Sequence, residues 1–183
     1  QAVGEDAPDK GELGLRLAKT WLDRSTRCET IFTKQDRAFR DLLGFRWPDD
    51  SGPFSFDLGG QFRGGSLASQ SFLGEVKNYD KELDLPQHFR SFLAKCYVAL
   101  GFRPNSCDHF LWISWSPFRA RKWNEHCTHD NVVQSLMGSD LFPRIFSTQD
   151  EGEARSKIDH HRANQVAERV WLLTLSHRQD DFY

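Results

Sequence analysis

No apolar run in the 183-residue sequence approaches the length that spans a bilayer, and its opening, QAVGEDAPDK, lacks the charged and apolar regions of a signal peptide. A cytoplasmic protein is therefore expected. Cysteine is sparse and shows no CxxC pair: Cys28, Cys96, Cys107 and Cys127 are widely spaced, which argues for buried, reduced thiols over a disulfide framework. Net charge is nearly absent, at −2. A free-standing nucleic-acid binder is more often basic, so any such affinity must be local or come from another domain or subunit. The first residue is Gln and not Met, which raises the expectation of a domain excised from a larger protein. Internal repeats, coiled-coil heptads and low-complexity tails are also missing.

With 38% hydrophobic and 27% charged residues, the composition is that of a globular protein, and the length suits one domain (1–183) with a sizeable core. Leu13, Leu17 and Trp21 recur four apart, with Ala18 and Leu22 widening the stripe, and predict a helix over 9–24. Asp9 and Glu12 are spaced as a capping box. Residues 28–33 read as a short strand, 36–44 as a brief helix and 47–53 as a turn. Two further strands are expected at 54–58 and 72–78, joined by a glycine-rich connection over 59–70 whose front part can extend the first of them. Leu85, Phe89, Phe92, Leu93, Cys96 and Leu100 stripe the best helix in the chain, 86–100, which Pro86 starts and Gly101 ends. Residues 109–114 read as a strand, 131–137 as a short helix and 152–169 as a longer one with Ala163, Val166, Ala167 and Val170 inward. Residues 171–175 suit either a last strand or the continuation of that helix.

Alternation along a strand puts residues i and i+2 on one side, so Glu75 and Lys77 project together. If 54–58 and 72–78 pair as neighbours, Asp57, just before Gly59-Gly60, joins them at one end of the sheet. Two carboxylates can hold a divalent metal, and a lysine beside them can activate or position a water. That is a phosphodiester-cutting site in outline.

The order helix, strand, strand, strand, helix, strand, with Asp57 closing the second strand and Glu75-Val76-Lys77 on the third, resembles the PD-(D/E)xK nuclease superfamily. The resemblance covers about residues 9–114 and implies a restriction-endonuclease-like α/β fold. Its αβββαβ core has a mixed central sheet flanked by helices, followed by a C-terminal helical extension over 115–183. Ser55-Phe56-Asp57 stands where the superfamily's name has Pro-Asp, a proline that varies widely among its members. Several branches, archaeal Holliday-junction resolvases among them, carry a glutamate in the first helix, and Gly11-Glu12-Leu13-Gly14 is similar to that position. The resemblance implies catalytic roles for Asp57, Glu75 and Lys77. It implies Mg²⁺, with Mn²⁺ able to substitute, on Asp57, Glu75, the Val76 carbonyl and, directly or through water, Glu12. Lys77 would orient the nucleophile or stabilise negative charge. The implied activity is that of a DNA endonuclease module in a prokaryotic restriction, anti-phage or toxin system. The partners are DNA, with RNA still open, the further domains or subunits of a larger assembly, and a second copy where two strands must be cut.

Plainer readings stand beside these. Glu75 and Lys77 could be a cross-strand ion pair on a solvated face, and Glu12 could serve only as a helix cap. His126-Cys127-Thr128-His129-Asp130, with His160-His161, suggests zinc but lacks a separated second pair of ligands. Arg119, Arg121 and Lys122 are placed to grip phosphates while Trp123 stacks on a base; a partner surface would look the same. Trp112 and Trp115 fall on opposite faces, so one belongs to the core. Lys34 and Arg63 are lesser candidates for backbone contacts, and Gln87, His88 and Arg90 open the helix after the ExK strand and could face the site. Two rival functions follow: a nuclease-like fold that binds nucleic acid or assembles without cutting, and an unrelated α/β interaction domain.

Overall fold

The computed structural model describes residues 10–78 and 84–182. The chain runs through α1 (Lys10–Ser25), β1 (Cys28–Thr33), the single turn α2 (Arg40–Leu43), and the short strands β2 (Gly44–Arg46) and β3 (Pro53–Ser55). It continues through β4 (Leu58–Phe62), β5 (Ser71–Lys77), α3 (Leu85–Phe102) and β6 (His109–Ser114). Then come α4 (His129–Leu136), α5 (Phe142–Phe146), α6 (Glu151–Ser156), α7 (His160–Arg169) and β7 (Val170–Thr174). Five strands form a mixed sheet in the order β1-β4-β5-β6-β7, and β2 and β3 make a separate two-stranded sheet. The β1-β4 and β4-β5 pairs are antiparallel, whereas β5-β6 and β6-β7 are parallel. The protein is thus α/β, with helices on both faces of a five-stranded mixed sheet. Among the described residues no helix is long and apolar enough to cross a membrane.

Two cores lie on the two faces. On one, the predicted stripe of α3 (Leu85, Phe89, Phe92, Leu93, Cys96, Leu100) is buried with Phe110 and Trp112 of β6 and with Ala163 and Val166 of α7. Trp112 is fully buried between the rings of Phe89 and Phe92, and Trp115 on the other face is half-buried. Burying side chains of this size contributes about 1.5–3 kcal/mol each. On the opposite face Leu15, Ala18 and Leu22 of α1 cover Phe72 and Val76 of β5 and Leu111 and Ile113 of β6. This stripe is rotated from the expected one, since Leu13, Leu17 and Trp21 are only half-buried. Close approach is the reason: a Cβ on Gly14 would lie 2.5 Å from Asn78 Cβ, so the glycine side of α1 is the side that can sit on the end of β5. Asp9, the expected cap, lies outside the described residues.

The expected strand over 54–58 is divided. Its first half pairs with β2 in a hairpin closed by the 47–53 turn, and its second half joins the sheet as part of β4. Phe56 marks the change: it is fully buried against Phe45, Phe54, Phe92 and Phe110, and its N–H donates to Leu43 O. The expected helix over 36–44 shrinks to a 3₁₀ turn and α2. The one long helix over 152–169 is two, because the Asp159 carboxylate caps α7 by accepting the Arg162 N–H, 3.0 Å away. The C-terminal segment is also more than a helical extension, since β7 extends the sheet in parallel beside β6. Cys28, Cys96 and Cys107 are buried, Cys127 is half-buried, and all four are free. Burial pushes the Cys107 thiol up to about 12 and that of Cys127 to about 11.

Two outcomes test this packing. A Cβ on Gly60 would sit 1.9 Å from the Glu29 carbonyl oxygen across the β1-β4 pair, so Gly60→Ala is expected to cost about 3 kcal/mol in urea unfolding. Burial holds the imidazoles of His88, His109 and His126 below their ordinary range. The unfolded chain therefore binds more protons than the folded one as pH falls through about 6.5, and stability present above that pH is lost below it. Thermal melts should give a lower Tm at about pH 5.5 than at about pH 7.5, and His126→Phe should flatten that slope.

Candidate active site

Asp57 stands one residue before β4, where the sequence reading has it closing the preceding strand. Its backbone already belongs to the sheet: the Asp57 N–H donates to Gly74 O at 2.8 Å and the Lys34 N–H donates to Asp57 O at 2.9 Å. The last residue of β4 paired to β5 at this end is Leu58, opposite Gly74. Beyond it the Val76 N–H has no β4 carbonyl to reach, and the Asp57 carboxylate takes that place, with Oδ2 accepting at 2.8 Å. Its other oxygen, Oδ1, is 2.6 Å from the Lys34 ammonium. Two backbone hydrogen bonds and two donors to its carboxylate, the Val76 N–H and the Lys34 ammonium, thus position one buried acid, 8% exposed, beside the strand that carries the other.

Glu75 is 5% exposed and lies on the α3 face of β5, the same face as Leu73. The predicted i, i+2 pair forms: Lys77 Nζ is 2.8 Å from Glu75 Oε1. A second ammonium comes from α3, where Lys95 Nζ lies 3.2 Å from both Glu75 oxygens and 3.4 Å from Ser55 O. A buried carboxylate is costly unless paired, and here it has two partners. His88, in the first turns of α3, completes the surroundings. Burial and then the Lys77 ammonium hold its imidazole below the ordinary range, Lys95 adds to that, and Asp84 and Glu75 oppose it. Among the described residues three ammonium groups thus contact these two carboxylates, and Asp84 adds a third acidic group beside His88.

Of the residues singled out in the sequence, Asp57, Glu75 and Lys77 come together. Val76, expected to offer its carbonyl to a metal, is held by its N–H on Asp57. Glu12 is exposed on the first turn of α1, beside a 280 Å³ cavity that Arg16, Lys19, Thr33 and Asp36 also line. Among the described residues no three His, Cys, Asp or Glu side chains gather as a ligand cluster. The donor set at Asp57 and Glu75 nonetheless fits a hard divalent cation, since both are oxygen donors and a carboxylate has more acceptor positions than the contacts seen here occupy.

Arg119, Arg121 and Lys122 are exposed on the loop and 3₁₀ segment that follow β6. Because β5 and β6 are parallel with Lys77 opposite Ser114, that loop leaves the sheet at the end where Lys77 stands. Lys122 is 3.3 Å from Glu125, an exposed pair of small energetic worth. Trp123 is half-buried and packs edge-on against Phe118 and His126, so its ring is committed to holding the loop. His126 itself is buried, with Nε2 3.1 Å from Phe118 O, and His129 pairs with His160 at 3.0 Å. Arg63 binds the carbonyls of Asp23 and Thr26 and is a structural clamp for the end of α1.

Sequence reasoning missed one member of the site, Lys95, and offered another, Lys34, only as a lesser candidate for backbone contacts. Lys95 carried a usable signal, a lone cation among Ala94, Cys96 and Tyr97 on an otherwise buried stretch of helix, where a charge requires a partner. The pairing of Lys34 with Asp57 carried none, because the two residues are 23 positions apart in the chain. Compared with protein-family models, with curated proteins and with solved structures, the chain matches none.

The two roles of Asp57 separate by mutation. Asp57→Asn keeps an acceptor for the Val76 N–H and loses the half-exposed Lys34 pair, so it should cost about 1 kcal/mol or less. Asp57→Ala leaves that buried N–H unpaired and should cost about 1–3 kcal/mol. Urea unfolding of the two variants side by side measures the difference.

Proposed function

We propose that this chain is a metal-dependent nuclease of the restriction-endonuclease-like fold, cutting DNA at a site formed by Asp57, Glu75 and Lys77. The observation that carries the reading is the meeting of two buried carboxylates and a lysine at one end of the sheet, with Asp57 locked to the Val76 N–H between Glu75 and Lys77. The order α1, β1, β4, β5, α3, β6 supports the fold assignment, with three antiparallel strands, then a helix and a parallel strand. The β2-β3 hairpin is an insertion before the second of those strands. The Lys77 ammonium beside Glu75, with Arg119 and Arg121 on the loop leaving the same end of the sheet, supports an anionic substrate.

Asp57 and Glu75 would hold a divalent cation, which when bound polarises a phosphate and lowers the pKa of water. Asp57 is preorganised by Val76 and Lys34, so its carboxylate needs no reorientation to take part. Glu75 fixes the Lys77 ammonium at the rim, where it would offset negative charge on the phosphate oxygens in attack. Lys95 acts from behind: it neutralises Glu75 in the resting protein and keeps its carboxylate on the α3 face. Arg119 and Arg121, leaving the sheet at the Lys77 end, would grip the substrate backbone, which positions a strand without reading its sequence.

A second reading is a nuclease-like module that binds without cutting. What favours it is that each carboxylate is already paired with at least one ammonium.

Purified protein is expected to convert supercoiled plasmid, linear duplex or single-stranded DNA to shorter products with Mg²⁺ or Mn²⁺ and not with EDTA. Lys77→Ala, folded by its melting curve, should lose at least about a hundredfold in rate, the scale set by removing one charge-stabilising group. Metal uptake in calorimetry and nucleic-acid binding with no turnover on any substrate would leave the binding module in its place.

A further inference from the structure

The two carboxylates of the site hold their ammonium partners on different terms. The Lys34 side chain, on Asp57 at 2.6 Å, is 46% exposed, so water competes for it and it leaves at small cost. The Lys95 side chain is 18% exposed, and its Nζ lies 3.2 Å from each oxygen of Glu75, a residue only 5% exposed. Lys77 meets the same carboxylate through Oε1, at 2.8 Å. Both oxygens of Glu75 are therefore engaged by ammonium groups, and among the described residues Lys95 is the cation that spans the pair.

An ammonium equidistant from two carboxylate oxygens lies on the chelating side of the group, the side from which a carboxylate takes a divalent cation with both oxygens. The two cannot share that side, because like charges a few Å apart repel strongly wherever water does not screen them. Lys95 thus competes for Glu75 with any cation that would use both oxygens. A second acceptor is within reach of the same ammonium: Ser55 O, two residues before Asp57, lies 3.4 Å from Nζ. The helix that carries Lys95 is fixed, since Phe89 and Phe92 of α3 close on Trp112. The lysine head sits on a flexible four-carbon stem, so it can shift from Glu75 towards that carbonyl while the helix stays in place.

We propose that Lys95 is a positioning residue that regulates metal uptake: it holds both oxygens of Glu75 in competition with a divalent cation and yields them, turning to Ser55 O, when the cation is taken up. Metal affinity is then set by this exchange, and an uncharged residue at position 95 raises it. This inference rests on the nuclease reading and deepens it, since the ammonium given up by Glu75 becomes available to a substrate phosphate.

The test is Mn²⁺ binding by calorimetry, with melting curves recorded with and without Mn²⁺. The proteins are the wild-type chain, Lys95→Gln, Lys95→Met, Lys95→Arg and, as a distant control on α6, Arg155→Gln. Glutamine keeps a donor for Glu75 and removes the charge, methionine removes both, and arginine keeps the charge. Lys77 stays in every variant, so Glu75 is never left without a partner. Lys95→Gln and Lys95→Met should bind Mn²⁺ at least about tenfold more tightly than the wild type. Mn²⁺ should also raise their Tm by more than it raises that of the wild type. Lys95→Arg and the control should keep the wild-type affinity within about twofold. If Lys95 only stabilised the fold, its removal would lower Tm and leave Mn²⁺ affinity unchanged. Equal or weaker Mn²⁺ binding by folded Lys95→Gln or Lys95→Met therefore overturns the proposal. Cutting that depends on Lys77 would in that case keep the nuclease reading. No Mn²⁺ uptake by any of the proteins overturns both.

Discussion

Where β4 gives out, the amide of Val76 would face an apolar sheet with no acceptor, and the Asp57 carboxylate supplies one at 2.8 Å. A hydrogen bond to a charged acceptor contributes about 1.5–3 kcal/mol, and its loss would leave a buried donor unpaired. The arrangement sets the position of the acid as firmly as that of the strand. Asp57 is held in place by backbone hydrogen bonds on both sides and by its own side chain, so the sheet's hydrogen-bond accounting and the geometry of the site are one constraint. Glu75 and Lys77 take their places from the same strand, one residue to either side of the amide that Asp57 caps.

The charge balance depends in turn on packing. Lys95 reaches Glu75 only because α3 lies across the sheet, and α3 lies there because Phe89 and Phe92 close on Trp112 of β6. A change in that aromatic core would move an ammonium away from a carboxylate that is 5% exposed. Stability of the core and electrostatics of the site are coupled through one helix. The C-terminal segment enters the same network, since α4 and α7 cover α3 and β7 extends the sheet beyond β6.

Much of this was legible in the sequence wherever one period governed one element. The α3 stripe from Leu85 to Leu100 is buried as its spacing predicts, and Glu75 and Lys77 meet because alternation along a single strand requires it. Reading failed where two elements compete for one stretch of chain. Residues 54–58 have the composition of a strand throughout, yet burial of Phe56 among four aromatic rings divides them between a hairpin and the central sheet. Of the expected α1 stripe Ala18 and Leu22 are buried and Leu13, Leu17 and Trp21 only half-buried, because the deciding contact, Gly14 against Asn78, links residues far apart in the chain.

The sequence by itself determined the α/β class, the strand and helix that flank the ExK triplet, and the pairing of Glu75 with Lys77, since each rests on local periodicity. Only the tertiary structure decided that Asp57 faces Val76, that Lys34 and Lys95 complete the charge cluster, and that Trp123 is used to hold its loop. Those residues are joined across 19 to 23 positions of chain or through the aromatic core. Their meeting follows from how the layers pack, and no local pattern encodes it.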